Sequence, residues 1–178
     1  MPITRWHGTR IEIGFRPFAA PFHRTRGCLR LGEDGPEIAA RDCMRAAPGD
    51  ALLQAGPVLV TDGVPVVAAE DPEGFSTTAH EFDEDLTAMR LPRMAIALTP
   101  SGGWLRVAVD GRAEHDAGLL LAELAELLCE LGAGSALNLD GGASSALIAG
   151  GRLRNTPRND ETEGLEAAGE TTSAIVFG

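Results

Sequence analysis

The chain has 178 residues, enough for one folded domain that buries about two-thirds of the surface its unfolded form would expose. Its 26 acidic residues outnumber the 15 basic ones, and the formal charge of −11 repels phosphate backbones and anionic lipid, which argues against nucleic acid and membrane as partners. Lysine is absent, so Schiff-base chemistry and the lysine of a P-loop are excluded, and any bound anion must be held by arginine or by backbone amides.

In chain order, Arg10-Ile11-Glu12-Ile13-Gly14-Phe15 alternates polar and apolar with the period of a half-buried strand, and Cys28-Leu29-Arg30-Leu31 repeats that pattern. Between them Pro17, Pro21, Arg16, Arg24 and Arg26 read as a loop whose arginines form a solvated face, with an anion site as the alternative. From Leu52 to Val67, three short apolar runs split by Gly56-Pro57 and Asp62-Gly63 predict a small β meander. The acidic run from His80 to Asp85 lacks the spacing and glycine of a calcium loop and reads as a solvated loop or helix start. Met94 to Leu98 and Leu105 to Val109 flank Pro100-Ser101-Gly102-Gly103, which predicts a hairpin.

After Asp110-Gly111 comes one strong helix, in which Leu120, Leu124, Leu127, Leu128 and Leu131 follow the spacing of a buried stripe, with Glu123, Glu126 and Glu130 on the wet side. Asp116 is the expected cap at its start and Gly132 the expected stop. Ser135 to Leu139 reads as a strand, Ala146 to Ala149 as another, residues 155–170 as an exposed loop, and Ser173 to Phe177 as a closing strand. The pattern is that of a single α/β (α+β) domain over residues 1–178, a mixed, largely antiparallel sheet with one main helix packed on it. Cys28, Cys43 and Cys129 are odd in number and widely spaced, without a CxxC pair or a Cys/His cluster, and read as reduced, packed thiols. No apolar run reaches the length of a signal peptide or a membrane span, so a cytoplasmic location is expected.

The chemistry concentrates at residues 138–145. A strand that ends in Asp140-Gly141-Gly142 places a carboxylate at a sheet edge beside backbone that a ligand can approach closely. The N–H groups of Gly141, Gly142 and Ala143 are candidates for an anion nest, with Asn138 on the same strand face and the Ser144 and Ser145 hydroxyls nearby. Asp140 then suits a catalytic carboxylate or a cation ligand. The same residues also suit a tight turn in which Asp140 accepts local backbone hydrogen bonds, and spacing leaves both readings open. His7, His23, His80 and His115 have no spacing that recommends them, and Ser144 and Ser145 lack the Gly-x-Ser-x-Gly elbow of a serine nucleophile.

Ala136-Leu137-Asn138-Leu139-Asp140-Gly141-Gly142-Ala143-Ser144-Ser145 resembles the signature of the phosphodiester glycosidase family and departs from it within the run only at Ala143. Gln54 to Val60 with Asp62-Gly63 is similar to that family's Gly-Pro strand, and Arg93 to Leu98 is similar to its arginine-led strand. Val109-Asp110-Gly111-Arg112, the leucine-rich helix ending Leu131-Gly132-Ala133, and Asn155-Thr156-Pro157 with Asp160 follow in the family's order, so the resemblance covers about residues 50–178. It implies hydrolysis of a sugar-1-phosphodiester, with Arg93 as the phosphate-binding cation, Asp140 as the main carboxylate and Asp110 as a second one. It further implies substrate contacts from Asn138, Gly141, Gly142, Ser144, Ser145, Gly56 and Arg112. The implied partner is a small phosphorylated sugar, a divalent cation is left open, and so is homo-oligomerisation. The family's upstream Asn-Gly-Gly-Phe-Phe-type segment is matched only by Gly14-Phe15 and Phe18. That departure keeps open an alternative, a catalytically degenerate member that binds a phosphorylated sugar or a protein.

Overall fold

The apolar runs alternate small and large residues, and this decides which layer packs on which face of the sheet. The computed structural model describes residues 4–7, 10–13, 24–67, 73, 89–158 and 174–177. Its strands are β1 (Thr4–His7), β2 (Arg10–Ile13), β3 (Gly27–Gly32), β4 (Gly35–Ala40), β5 (Ala51–Gln54), β6 (Val58–Thr61), β7 (Val64–Pro65), β8 (Arg93–Leu98), β9 (Trp104–Val109), β10 (Ser135–Leu139), β11 (Ile148–Ala149) and β12 (Arg152–Leu153), with the helix α1 (Leu121–Glu130) between β9 and β10. A five-stranded sheet in the order β7-β6-β10-β8-β9 forms the centre, a three-stranded sheet has the order β4-β3-β5, and β1-β2 and β11-β12 are hairpins. Every described pairing is antiparallel, and one main helix accompanies the sheets.

On the central sheet Ala95, Ala97 and Ala136 point to one side, where they pack with Leu59 and Val60 against Leu121, Leu124, Ala125 and Leu128 of α1. Alanines under the helix let its axis come close. Ile96, Leu98 and Leu137 point to the other side and meet Leu29 of β3 and Ile38 of β4. Each fully buried leucine contributes about 1.5–3 kcal/mol relative to an exposed one, so these two layers carry the stability of the described core.

The helix is phased one residue from the expected stripe. Leu121, Leu124, Ala125 and Leu128 are buried, whereas Leu131 is half-exposed. Leu119 exchanges both backbone hydrogen bonds with Leu91, which holds the chain extended until residue 120 and delays the first turn. The Glu123 carboxylate then accepts the Leu120 N–H at 3.0 Å and takes the capping role expected of Asp116, whose backbone is paired with Ala113. The stop is as expected: Gly132 adopts φ +88°, and the Gly132 and Ala133 N–H groups donate to the carbonyls of Cys129 and Leu128.

The hairpin of β8 and β9 forms as predicted, closed by Thr99 and Gly103. The meander does not run through all three segments, because β5 pairs with β3 while only β6 and β7 pair with each other. The Gly56-Pro57 turn, whose peptide bond is cis, redirects the chain between the two sheets. Residues 174–177 make no ladder; Ile175 and Phe177 instead pack on the second apolar layer, with Phe177 edge-on to Trp104 and beneath the Arg106 guanidinium. Strands β1 and β4 carried no pattern that announced them. Cys28 is buried, and burial pushes its thiol up to about 11, but Cys43 is exposed and so is not a packed thiol. The segment 80–85, Asp160 and most of the loop at 155–170 lie outside the described residues. No helix among the described residues is long and apolar enough to cross a membrane.

Arg30, nearly covered on β3, donates to Asp34 at 2.8 Å, Glu37 at 2.9 Å and Asp50 at 3.2 Å, and so ties the β3-β4 turn to the chain entering β5. The bonds to Arg30 hold the Asp34 carboxyl below its usual range. A depressed carboxylate contributes stability above its unfolded pKa of about 3.9 that is lost as pH falls through its folded value. Melting curves should therefore show Arg30→Ala less stable than the parent at pH 7, with the gap narrowing below about pH 4.

Candidate functional site

Antiparallel pairing brings strand ends together that lie far apart in sequence. β8 begins beside the end of β9, with Arg93 opposite Val109, and beside the end of β10, with Met94 opposite Leu139. The chain entering β6 joins the same end of the sheet, since Asn138 N–H donates to the Pro57 carbonyl and Gly56 N–H to the Asn138 carbonyl, both at 3.0 Å. Gly56, Arg93, Asp110, Asn138 and Asp140 thus share one edge, with the 141–145 loop beside them.

Arg93 follows the same alternation as Ala95 and Ala97, so its side chain lies on the α1 side of the sheet. It is 2% exposed, its Nε donates to the Leu119 carbonyl at 2.9 Å and its Nη2 to the Met89 carbonyl at 2.8 Å. Among the described residues no carboxylate pairs with it, and burial pulls the guanidinium down to about 10. Among the described residues the contacts that hold it are thus backbone carbonyls rather than an ion pair. Two of its N–H groups serve the backbone, and the rest of the fork is directed to neither carbonyl.

Asp140 is exposed, and among the described residues nothing hydrogen-bonds its carboxylate. The local-turn reading does not hold for its side chain. Its backbone carbonyl accepts from the Ser145 hydroxyl at 3.4 Å, while Ser144 is exposed and Ser145 fully buried. Asp110 is committed differently, its Oδ1 accepting the Thr156 N–H at 2.6 Å. Arg112, exposed with φ +56°, reaches over the loop, its Nη1 standing 4.0 Å from where a Gly142 Cβ would lie.

The loop itself lies flat on Pro92. A Cβ on Gly141 would stand 2.6 Å from the Pro92 carbonyl oxygen and 4.0 Å from the Arg93 Cα, and Gly142 donates to that same oxygen at 3.3 Å. Three consecutive free amides are thus not what the chain presents, because the middle one is turned onto Pro92 and residues 142–144 wind into a 3-10 turn. Glycine at 141 is required by contact rather than by dihedral angle. Gly141→Ala should cost about 1–3 kcal/mol through forced backbone displacement, read as a lower denaturant midpoint at unchanged slope.

Asn138 is 2% exposed, and its Nδ2 donates to the Gly56 carbonyl at 3.0 Å. Its Oδ1 is buried and has no partner among the described residues. A buried acceptor left unpaired is costly, and in a native structure it asks for a reason. Among the described residues no group of three or more His, Cys, Asp or Glu side chains is arranged to hold a metal.

Three contributors were missed by the candidate set. Asn155 braces the loop, accepting the Leu147 N–H at 2.8 Å and donating to the Ser145 carbonyl, and Thr156 anchors Asp110. Both belong to the Asn155-Thr156-Pro157 segment that resembles the family's loop, which was the signal available. The third is Glu73, a buried carboxylate whose Oε2 accepts the Gly27 N–H and whose Oε1 accepts the Val58 N–H, each at 2.7 Å. Nothing in its sequence surroundings marked it.

The phosphodiester glycosidase family matches residues 22–176. A solved structure of a Burkholderia pseudomallei protein is similar at 30% identity and a TM-score of 0.57, over 71% of this chain and 26% of its own. One from Synechocystis is similar at 32% identity and a TM-score of 0.50, over 68% of this chain and 22% of its own. The catalytic domain of zebrafish N-acetylglucosamine-1-phosphodiester alpha-N-acetylglucosaminidase, auto-inhibited by its pro-peptide, shares the fold at 20% identity and a TM-score of 0.57, over 75% of this chain and 45% of its own. The chain thus spans less than half the length of each of these structures. Among curated proteins none matches.

Proposed function

Because the chain belongs to the phosphodiester glycosidase family, we propose that it hydrolyses a sugar-1-phosphodiester at the end of the central sheet that carries Arg93 and Asp140. The observation that carries this reading is a buried guanidinium and an exposed carboxylate on adjoining strand ends, the first without a carboxylate partner and the second without a hydrogen bond among the described residues. Arg93 holds the phosphate: a planar fork already fixed on two carbonyls meets two phosphate oxygens at little cost in side-chain freedom. Asp140 accepts a proton from water as that water attacks the anomeric carbon, or stabilises the positive charge that develops there. The bond from the anomeric carbon to the phosphate oxygen breaks, the phosphate monoester leaves, and the sugar keeps the water oxygen. A phosphoryl leaving group needs no strong general acid. Asn138 and the Gly141-Gly142 loop contact the substrate around this centre, Ser144, Ser145, Gly56 and Arg112 border it, and Asp110 acts by fixing Thr156.

Incubation with a panel of sugar-1-phosphodiesters should release free sugar. The second reading, a binding module, is favoured by the commitment of Asp110 Oδ1 to the Thr156 N–H, where glycosidases commonly use two carboxylates on the substrate. Saturable binding without release by folded protein would establish that module instead.

A further inference from the structure

We infer that Glu73 is a positioning residue for Asn138: it fixes the Gly56-Pro57 turn that aims the Asn138 side-chain amide into the site. The inference rests on the substrate contact assigned to Asn138 above.

Glu73 is 7% exposed, and each carboxylate oxygen takes a different backbone donor, Gly27 at the start of β3 and Val58 at the start of β6. The Glu73 carbonyl also accepts Arg26 Nε at 3.3 Å. Gly27 is engaged a second time, since its carbonyl accepts the Ala55 N–H at 3.1 Å. One carboxylate therefore grips the turn residues from the side of the three-stranded sheet. From the other side the turn is gripped by Asn138, through Asn138 N–H to Pro57, Gly56 N–H to Asn138, and Asn138 Nδ2 to the Gly56 carbonyl.

The two grips meet at residues 56–58, and the direction of the Gly56 carbonyl sets the rotation of the Asn138 amide. With Nδ2 fixed there, Oδ1 is left as a buried acceptor without a partner among the described residues. Its natural complement is an O–H or N–H of the sugar, and the bond forms only if the turn holds its place. A glutamine at 73 supplies one acceptor and one donor. The donor would face a backbone N–H, and the turn would shift. Glu73 itself touches no reacting atom, and its effect falls on substrate affinity rather than on the chemical step.

The test uses the full chain, labelled with nitrogen-15, and follows the Asn138 side-chain amide, assigned by its loss in Asn138→Asp. In Glu73→Gln the Asn138 amide signals should move and lose slow exchange. KM for the sugar-1-phosphodiester should rise about tenfold, with the pH profile and kcat little changed. Arg30→Ala, destabilised at a distance from the site, should leave those amide signals in place. Glu73→Asp retains a carboxylate and should restore part of the affinity; it also serves if the glutamine variant does not fold. Unmoved Asn138 signals in a folded Glu73 variant would overturn the inference, whatever the activity. Parent protein that turns over no substrate would count against the proposed reaction alone, since the amide signals still decide the role of Glu73.

Discussion

Replacing Asp140 by asparagine should lower turnover of a sugar-1-phosphodiester by about a hundredfold or more, the range expected when a positioned acid–base group is lost. The same change should barely move the melting temperature. The reason is that the carboxylate is exposed and takes no hydrogen bond from the described residues, so the fold loses nothing when its charge goes. The backbone carbonyl that Ser145 approaches is unchanged by the substitution. Steady-state kinetics together with thermal unfolding read both halves of the prediction. A large loss of stability would mean that Asp140 shapes the loop instead.

Arg93→Met should be the second large effect, lowering turnover by about 10²–10³ through loss of charge stabilisation at the phosphate. Its effect on stability is the difference of two opposed terms. Burial, with no carboxylate partner among the described residues, pulls the folded pKa down to about 10, so below that pH the charged side chain weakens the fold, and the penalty fades as pH rises toward the unfolded value. Against this, the bonds to Leu119 and Met89 each stabilise by about 1–3 kcal/mol. Methionine fills similar volume and removes both terms, so little net change is expected. A phosphodiester ligand should raise the melting temperature of the parent, because its charge compensates the guanidinium, and should leave Arg93→Met unmoved.

Much of this arrangement could be read in the sequence, and the reasons are local. Arg93 to Val109 announces a hairpin because alternation and a Gly-rich turn act over neighbouring residues, and Gly132 announces a helix end because few other residues take its dihedral angles. The Asn138 to Ser145 run could be placed because consecutive glycines weaken a strand and favour a turn. What could not be read depends on pairing at a distance. β5 adjoins β6 in the chain yet pairs with β3, and the phase of α1 was set by Leu119 meeting Leu91 across an intervening hairpin. Glu73 sits in an acidic, patternless stretch, and only the fold reveals that its two oxygens meet Gly27 and Val58. At the site the residue types were legible, but their commitments were not. The sequence does not say that Asp110 Oδ1 accepts the Thr156 N–H, nor that the Gly142 N–H is turned onto Pro92.

In the proposed reaction the bond broken lies between the anomeric carbon and the phosphate oxygen. Hydrolysis in water enriched in oxygen-18, followed by mass spectrometry of both products, tests it directly. The label should appear on the released sugar and not on the phosphate monoester. Label on the phosphate would place the attack at phosphorus and contradict that reaction.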